Sequence, residues 1–225
     1  MKRKTKIISL VLAISLLLGM ATTAYAASGT CEVFYFTYQG SVGEGGSASI
    51  QSCLSNLGYT ANRYADTHAY YVRRTMNSDK VFAIVSHGAP GRVVCKDGAT
   101  TMSASAVSSD SSNYSLAAWF GSNDLKGMKF AYYGACSSAA TDSTYGNLIT
   151  YTTDTLGASC ALGFTKTVYD PQVAYYEAQL FGYLQSGNSV SSANVLARAA
   201  TYSQYKSYGN VDSALISGDS TTKIN

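Results

Sequence analysis

The chain has 225 residues, with 16 Lys and Arg against 13 Asp and Glu, which gives a formal net charge of +3 at pH 7. The basic residues form no patch in the body of the chain, and no RNA- or DNA-binding motif is present, so we expect no nucleic-acid partner. Beyond the N-terminus, no apolar stretch is long enough to span a membrane.

The N-terminal segment has the three parts of a secretory signal peptide. Four basic residues open it, residues 7–19 are apolar, and Ala-Tyr-Ala at residues 24–26 fits the cleavage rule. We predict cleavage after Ala26, a secreted protein and one domain over residues 27–225. Because the signal peptide carries +4, its removal from a total of +3 leaves a mature charge of −1.

Hydrophobic spacing and stop signals in the first half of the chain predict alternating strands and helices. The predicted elements are a strand at 33–38, a glycine-rich loop at 40–46, a helix capped by Ser47 that ends at Gly58, a strand at 59–64, a helix at 68–76 and a strand at 81–86. The last of these strands is apolar throughout, which is typical of a strand buried on both faces.

The second half continues the alternation. We predict a hairpin around 93–98, a Ser-rich loop at 99–115, a short helix at 116–120, a strand at 128–135, a helix from a Ser143 cap to 157, a strand at 160–164, a helix at 171–187, a helix capped by Ser191 to about 205, and a strand at 214–216. This order indicates an α/β fold with a mostly parallel sheet of about six strands and helices on both faces.

The cysteine count bears on redox state and metal binding. All five cysteines lie after residue 26, and an odd number in an exported protein leaves at least one thiol unpaired. Cys136 is the best candidate for that thiol, and the other four could form two disulfides or none. With two histidines and no Cys-x-x-Cys, a structural zinc site has little support, and we expect no metal and no cofactor.

Two of the apolar strands each end in a reactive side chain. Residues 81–86 lead into His87-Gly88, and residues 128–135 lead into Cys136. The carboxyl ends of parallel strands form the ligand crevice of such a sheet, so we expect the imidazole and the thiol to meet there. Either residue alone would more often be structural, but together they make a nucleophile and its proton-transfer partner.

This arrangement resembles the caspase, gingipain and legumain group (clan CD) of cysteine peptidases, in which one apolar strand ends in His-Gly and a later one in Ala-Cys. His87 comes 49 residues before Cys136, near the roughly 50 residues of caspases. Residues 161–168 and 214–219 also resemble gingipain-type peptidases and bacterial caspase-like (CHAT-type) domains. Gly134 departs from the Gln of caspases and from the acid of legumains, so their specificities do not transfer.

The resemblance implies a three-layer caspase-like fold and a cysteine endopeptidase acting on proteins or peptides. Cys136 as thiolate would form a thioester acyl-enzyme, and His87 would protonate the leaving amine. The backbone N–H groups of Gly88 and Cys136 would form the oxyanion hole, where one donor is typically worth about 3 kcal/mol.

The resemblance also places the pocket for the residue on the acyl side of the cut. Its walls would come from the loops after the first and fifth strands and from the segment around Cys136. The charged candidates there are Glu44, Asp142, Lys166 and Asp170. Glu44 or Asp170 would favour Arg or Lys in the substrate, whereas Lys166 would favour an acidic residue, and we expect a preference for basic residues.

Two alternative functions remain open at this level. One is a catalytically inactive caspase-like binding module, which trapping of Cys136 by an electrophilic peptide probe would separate from an enzyme. The other is a sortase-type transpeptidase, which is also exported and also runs His before Cys. A sortase needs a β-barrel, and the helices predicted at 143–157 and 171–187 argue against it.

Overall fold

The structure, a computed structural model, describes residues 27–37, 43–96, 98–105 and 109–225. The predicted signal peptide and its cleavage after Ala26 lie outside the described residues. Within these ranges, no helix has both the length and the apolar character needed to cross a membrane.

A six-stranded sheet forms the centre of the fold, with the strand order β2-β1-β3-β7-β8-β9. The first five strands in this order are parallel, and β9 pairs antiparallel with β8 at one edge. The bounds are β1 Thr30–Tyr35, β2 Thr60–Ala65, β3 Asp79–Val85, β7 Phe130–Gly134, β8 Cys160–Phe164 and β9 Ala214–Gly218. The predicted mostly parallel sheet of about six strands is confirmed.

Five helices cover the two faces of this sheet in the described part of the chain. Their bounds are α1 Glu44–Asn56, α2 Ala69–Thr75, α3 Leu148–Thr150, α4 Gln172–Gln185 and α5 Val190–Tyr205. A π-helical turn, Tyr151–Thr155, follows α3, and a 3₁₀ turn, Val211–Ser213, precedes β9. The result is a three-layer α/β fold.

Alternation along each strand divides the apolar side chains between two cores. In β7, Phe130 and Tyr132 face the core that α1, α4 and α5 cover, whereas Ala131 and Tyr133 face the core that α2 and α3 cover. All four side chains have no exposed surface. This burial on both faces explains why β7 is an uninterrupted apolar run in the sequence.

A small antiparallel sheet lies beside the carboxyl end of β3. It has the order β4-β5-β6, with β4 Gly88–Ala89, β5 Arg92–Cys95 and β6 Thr100–Ser103. It contains the predicted hairpin, and its Val93 and Met102 are fully buried in the core under α2 and α3. The sheet therefore fixes the segment that directly follows β3.

Three predicted helix caps are wrong, and the true caps differ for local reasons. The cap of helix α1 is Gly43, four residues before the predicted Ser47, because Gly43 adopts a left-handed conformation (φ 85°) from which the helix starts. Asn147 rather than Ser143 caps α3, since the Asn147 side chain accepts from the N–H of Thr150. At α5 the cap is the residue before Val190.

That cap is Ser189, whose hydroxyl accepts from the N–H of Ser192, so Ser191 lies inside the helix rather than at its start. The short helix predicted at 116–120 is also wrong. The segment is a turn in which the N–H groups of Trp119 and Phe120 both donate to the carbonyl of Leu116. A single turn is too short for helical spacing to distinguish it from a helix.

Candidate active site

His87 and Cys136 leave two neighbouring parallel strands at the same level. The register pairs Val85 of β3 with Gly134 of β7, and each reactive residue follows its strand by two positions. The N–H of Ser86 donates to the carbonyl of Gly134 at 3.1 Å, so the pairing continues past the end of β3. Since adjacent strands lie about 4.8 Å apart, this register carries both side chains to one edge of the sheet.

Gly88 brings the two segments into direct contact. A Cβ atom on Gly88 would lie 2.4 Å from the carbonyl oxygen of Cys136 and 2.9 Å from the Cβ of Ala135. No real side chain is tolerated at such distances, so the glycine is what permits this close approach of the two backbones. The chain that follows the imidazole therefore packs against the chain that carries the thiol.

Hydrogen bonds hold the turn after the thiol to the two strands on either side. The hydroxyl of Ser138 donates to the carbonyl of Tyr133 at 2.7 Å and accepts from the N–H of Phe164 at 3.2 Å. Ser137, directly after Cys136, has a left-handed conformation with φ 54°, which costs free energy in a residue with a side chain. The left-handed Ser137 therefore turns the chain immediately after Cys136.

The backbone N–H groups of Gly88 and Cys136 are the two donors that the resemblance assigns to an oxyanion hole. The carbonyl of His87 accepts from the N–H of Val94, and Ala89 of β4 pairs with Arg92 of β5. Because hydrogen-bonded and non-hydrogen-bonded pairs alternate along an antiparallel ladder, the N–H of Gly88 points away from β5. The N–H of Cys136 has no hydrogen-bond acceptor in the described part of the chain.

A cavity of about 110 Å³ opens beside these groups, and we call it the active-site cavity. Its lining residues are Gly43, Val85, Ser86, His87, Gly134, Cys136, Val168, Asp170, Val173, Ala174 and Glu177. His87 and Cys136 are each half-buried, and the Cys136 thiol donates to the carbonyl of Val168 at 3.7 Å. Both predicted catalytic side chains therefore line one cavity at the predicted edge of the sheet.

Glu177, on helix α4, is the charged residue of the cavity that the sequence analysis did not single out. It is fully buried, and one carboxyl oxygen accepts from the hydroxyl of Tyr132 at 3.0 Å. The pKa of Glu177 is raised to about 8, mainly by burial, while the hydrogen bond from Tyr132 opposes the rise and the nearby charge of Asp170 adds to it. A sequence signal existed, because residue 177 shares the apolar face of its helix with Val173 and Leu180.

Of the four predicted pocket residues, Asp170 lines the active-site cavity among the described residues. Glu44 is exposed at the start of α1, outside that lining. The carboxylate of Asp142 accepts from the N–H groups of Thr144 and Tyr145, which lower the Asp142 pKa within a local turn.

Lys166 contributes its backbone rather than its side chain to the site. Its carbonyl accepts from the N–H of Ser137 at 3.0 Å, which supports the turn after Cys136, while the Lys166 side chain is exposed. Lys166 therefore helps to position the thiol turn, and it does not line the active-site cavity in the described part of the chain.

The other cysteines and the second histidine have structural environments. All five cysteines are free thiols, so the alternative with no disulfide is the one found. Burial raises the pKa of Cys31 and of Cys160 to about 12 and also raises the pKa of Cys53. His68 caps helix α2, where its ring nitrogen accepts from the N–H of Tyr70. Among the described residues, no group of three or more His, Cys, Asp or Glu could hold a metal ion.

Comparison with known proteins identifies the fold. No protein-family model matches the sequence, and no curated protein matches it. Among solved structures, the chain is similar to the Arg-specific cysteine proteinase gingipain R, with a TM-score of 0.57 and 12% identity over 87% of this chain and 47% of that chain. The chain thus spans about half the length of this gingipain.

Two further structures give similar agreement. Caspase-1 from Spodoptera frugiperda matches with a TM-score of 0.55 and 10% identity over 86% of this chain and 89% of that chain. Separase of Saccharomyces cerevisiae, in its complex with securin, matches with a TM-score of 0.54 and 16% identity over 85% of this chain and 12% of that chain.

The chain therefore has the caspase-like fold that gingipain, separase and caspase-1 share. The resemblance predicted from the two strand ends is confirmed at the level of the fold. The central sheet is open and mostly parallel, so the described part of the chain contains no β-barrel of the kind that a sortase requires, which contradicts the sortase-type alternative.

Proposed function

We propose that this protein is an exported cysteine endopeptidase in which Cys136 is the nucleophile and His87 its proton-transfer partner. The observation that carries the proposal is the register of β3 and β7, which brings both side chains to the lining of one cavity. The caspase-like fold supports the proposal, since cysteine peptidases of that fold are its structural neighbours.

The reaction follows from the positions of the groups. The Cys136 thiolate attacks the peptide carbonyl carbon, and the N–H groups of Gly88 and Cys136 donate to the oxyanion that forms. His87 gives a proton to the leaving amine, and the C–N bond breaks to leave a thioester on Cys136. Water, deprotonated by His87, then hydrolyses the thioester and releases the acid.

A preference for cleavage after basic residues belongs to the same proposal. Among the described residues, the acidic side chains that line the active-site cavity are Asp170 and Glu177, beside the His87 imidazole. An acidic lining attracts a cationic substrate side chain and repels an acidic one. Export rests on the predicted signal peptide, and secretion of the full chain with cleavage after Ala26 would test it by N-terminal sequencing.

The decisive experiment labels the purified protein with an electrophilic peptide probe and digests a peptide library in parallel. We expect the probe on Cys136 and cleavage by the wild type, and neither in a Cys136→Ala variant. Cys53→Ala is the matched control, because Cys53 is also half-buried but lies on helix α1 outside the cavity lining. A wild type that cuts no peptide and is not labelled would support the inactive binding module instead.

A further inference from the structure

Glu177 is an ionisable residue on the buried, apolar face of helix α4. On α4 it occupies a position between Val173 and Leu180, which are both buried in the main core. An ionisable side chain at such a position destabilises the fold relative to an apolar one unless its polar atoms are all paired. Glu177 is not fully paired, because its Oε2 is buried and has no hydrogen-bond partner in the described part of the chain.

Two glycines leave the space that the carboxyl group occupies. A Cβ on Gly46 of α1 would lie 1.7 Å from Oε2 of Glu177, and a Cβ on Gly134 of β7 would lie 2.6 Å from Oε1. The carboxyl group therefore lies between the first turn of α1 and the end of β7, directly below the residues that carry the thiol.

The charges around the cavity are complementary to a cation. The lining contains the carboxyl groups of Asp170 and Glu177, and it contains no Lys or Arg among the described residues. A cationic side chain entering beside Cys136 would therefore meet Asp170, which is exposed, and would end at Glu177, which is fully buried.

Resting on the proposed peptidase function, we propose that Glu177 is the specificity-determining residue of the cavity and binds the cationic end of a Lys or Arg side chain on the acyl side of the cut bond. The unpartnered Oε2 then accepts the hydrogen bond that it lacks in the empty site. Tyr132 keeps Oε1 in place with its hydroxyl. The cation and the carboxylate form a charge-assisted pair, which is among the stronger hydrogen bonds in proteins.

Binding of the cation is coupled to the loss of one proton. Since the pKa of Glu177 is about 8, the carboxyl group of the empty site is protonated at neutral pH. When the guanidinium enters, the carboxyl group releases its proton to water, and a carboxylate–guanidinium pair forms. No bond other than this O–H bond changes. The other titratable groups that face Glu177 are Tyr132 and Tyr176, together with Asp170, His87 and Cys136 of the cavity.

The test compares two peptides that differ in one residue, arginine or its neutral isostere citrulline, on the acyl side of the cut. We expect the full-chain wild type to prefer arginine by about a hundredfold in kcat/KM, because a buried polar group left unpaired penalises the neutral analogue. In a Glu177→Gln variant the preference falls below tenfold through a loss on arginine alone. Glu44→Gln is the matched control, since Glu44 lies outside the cavity lining, and it keeps the wild-type preference.

A second measurement needs no variant. In the wild type, the arginine-to-citrulline ratio of kcat/KM rises by roughly tenfold per pH unit up to about pH 8 and is level above it, while the effects of His87 and Cys136 cancel in the ratio. A folded Glu177→Gln variant with the wild-type preference overturns the inference. If that variant does not fold, a ratio that stays flat from pH 6 to 9 in the wild type overturns it.

Failure of this inference and failure of the proposed function look different. A wild type that is labelled at Cys136 and cuts after uncharged or acidic residues overturns the role of Glu177 and leaves the peptidase in place. A wild type that is neither labelled nor cuts any peptide overturns both.

Discussion

Gly88 and Cys136 are in such close backbone contact that position 88 has no room for a methyl group, because a Cβ there would lie 2.4 Å from the Cys136 carbonyl oxygen. We therefore expect Gly88→Ala to displace the thiol segment and to reduce kcat/KM by about a hundredfold or more. The free energy of unfolding of this variant should fall by about 1–3 kcal/mol. Gly182→Ala is the control, since a Cβ at Gly182 would contact nothing within 4 Å. Equal activity of the two variants would contradict the assigned role of Gly88.

His87→Gln should reduce kcat/KM by about 10²- to 10⁴-fold, because it removes the proton donor for the leaving amine. The chain has two histidines, so His68→Gln provides a matched control. The control should cost roughly 0.5–1 kcal/mol of stability through loss of the α2 cap and should keep its activity. Steady-state kinetics and thermal melting of both variants distinguish a catalytic from a structural effect, and an active His87→Gln variant would contradict the dyad.

Ser138 positions the thiol turn, and its loss should affect both stability and catalysis. Ser138→Ala removes the hydroxyl that joins the carbonyl of Tyr133 to the N–H of Phe164. Leaving the buried N–H of Phe164 unpaired should cost about 1–3 kcal/mol, whereas the carbonyl of Tyr133 still accepts from the N–H of Ala135. We expect kcat to fall more than KM rises, because the attacking atom moves while the cavity remains. Ser138→Thr, which keeps the hydroxyl, should recover part of kcat, and a variant with unchanged kcat would show that the turn does not position the thiol.

Two buried carboxyl groups should make the protein less stable as the pH rises. Burial raises the pKa of both Glu177 and Asp79 to about 8. Their ordinary pKa values are near 4, so the folded state binds more protons than the unfolded state between about pH 4 and pH 8. The stabilising effect is therefore fully present below pH 4, declines up to pH 8 and is constant above it.

For a single group the full change is on the order of 5 kcal/mol. Chemical denaturation at a series of pH values should show Glu177→Gln and Asp79→Asn each with a flatter profile than the wild type. An increase of stability from pH 5 to pH 8 in the wild type that both variants retain would contradict the assignment.

The strands that carry the dyad could be predicted because burial on both faces leaves a continuous apolar run. The ends of β3 and β7 differ by at most two residues from those of the predicted strands at 81–86 and 128–135. The edge at which His87 and Cys136 meet followed from parallel pairing alone. The fold class followed from the alternation of strands and helices, and the structural neighbours confirm it.

The parts that could not be predicted depend on contacts distant in sequence. The early start of α1 requires the left-handed Gly43 against Val85, which no local pattern at Ser47 reveals. Glu177 is a single acid in an amphipathic helix, and by composition alone such a residue is taken for a solvated one. Its position on the apolar face of α4 is a signal of burial, but the packing of α4 against β7 and α1 is what shows where the carboxyl group lies.

The two acidic residues of the cavity differ in how easily they can be replaced, because Glu177 is buried and Asp170 is exposed. Helix α4 carries both Glu177 and the large apolar side chains Phe181 and Leu184 of the main core. A substitution at Glu177 that changes the size of the cavity therefore also changes the packing of the core. Asp170, on the exposed rim, can be exchanged with little structural penalty. Substitutions that alter substrate preference should therefore be made first around Asp170, while Glu177 is left unchanged.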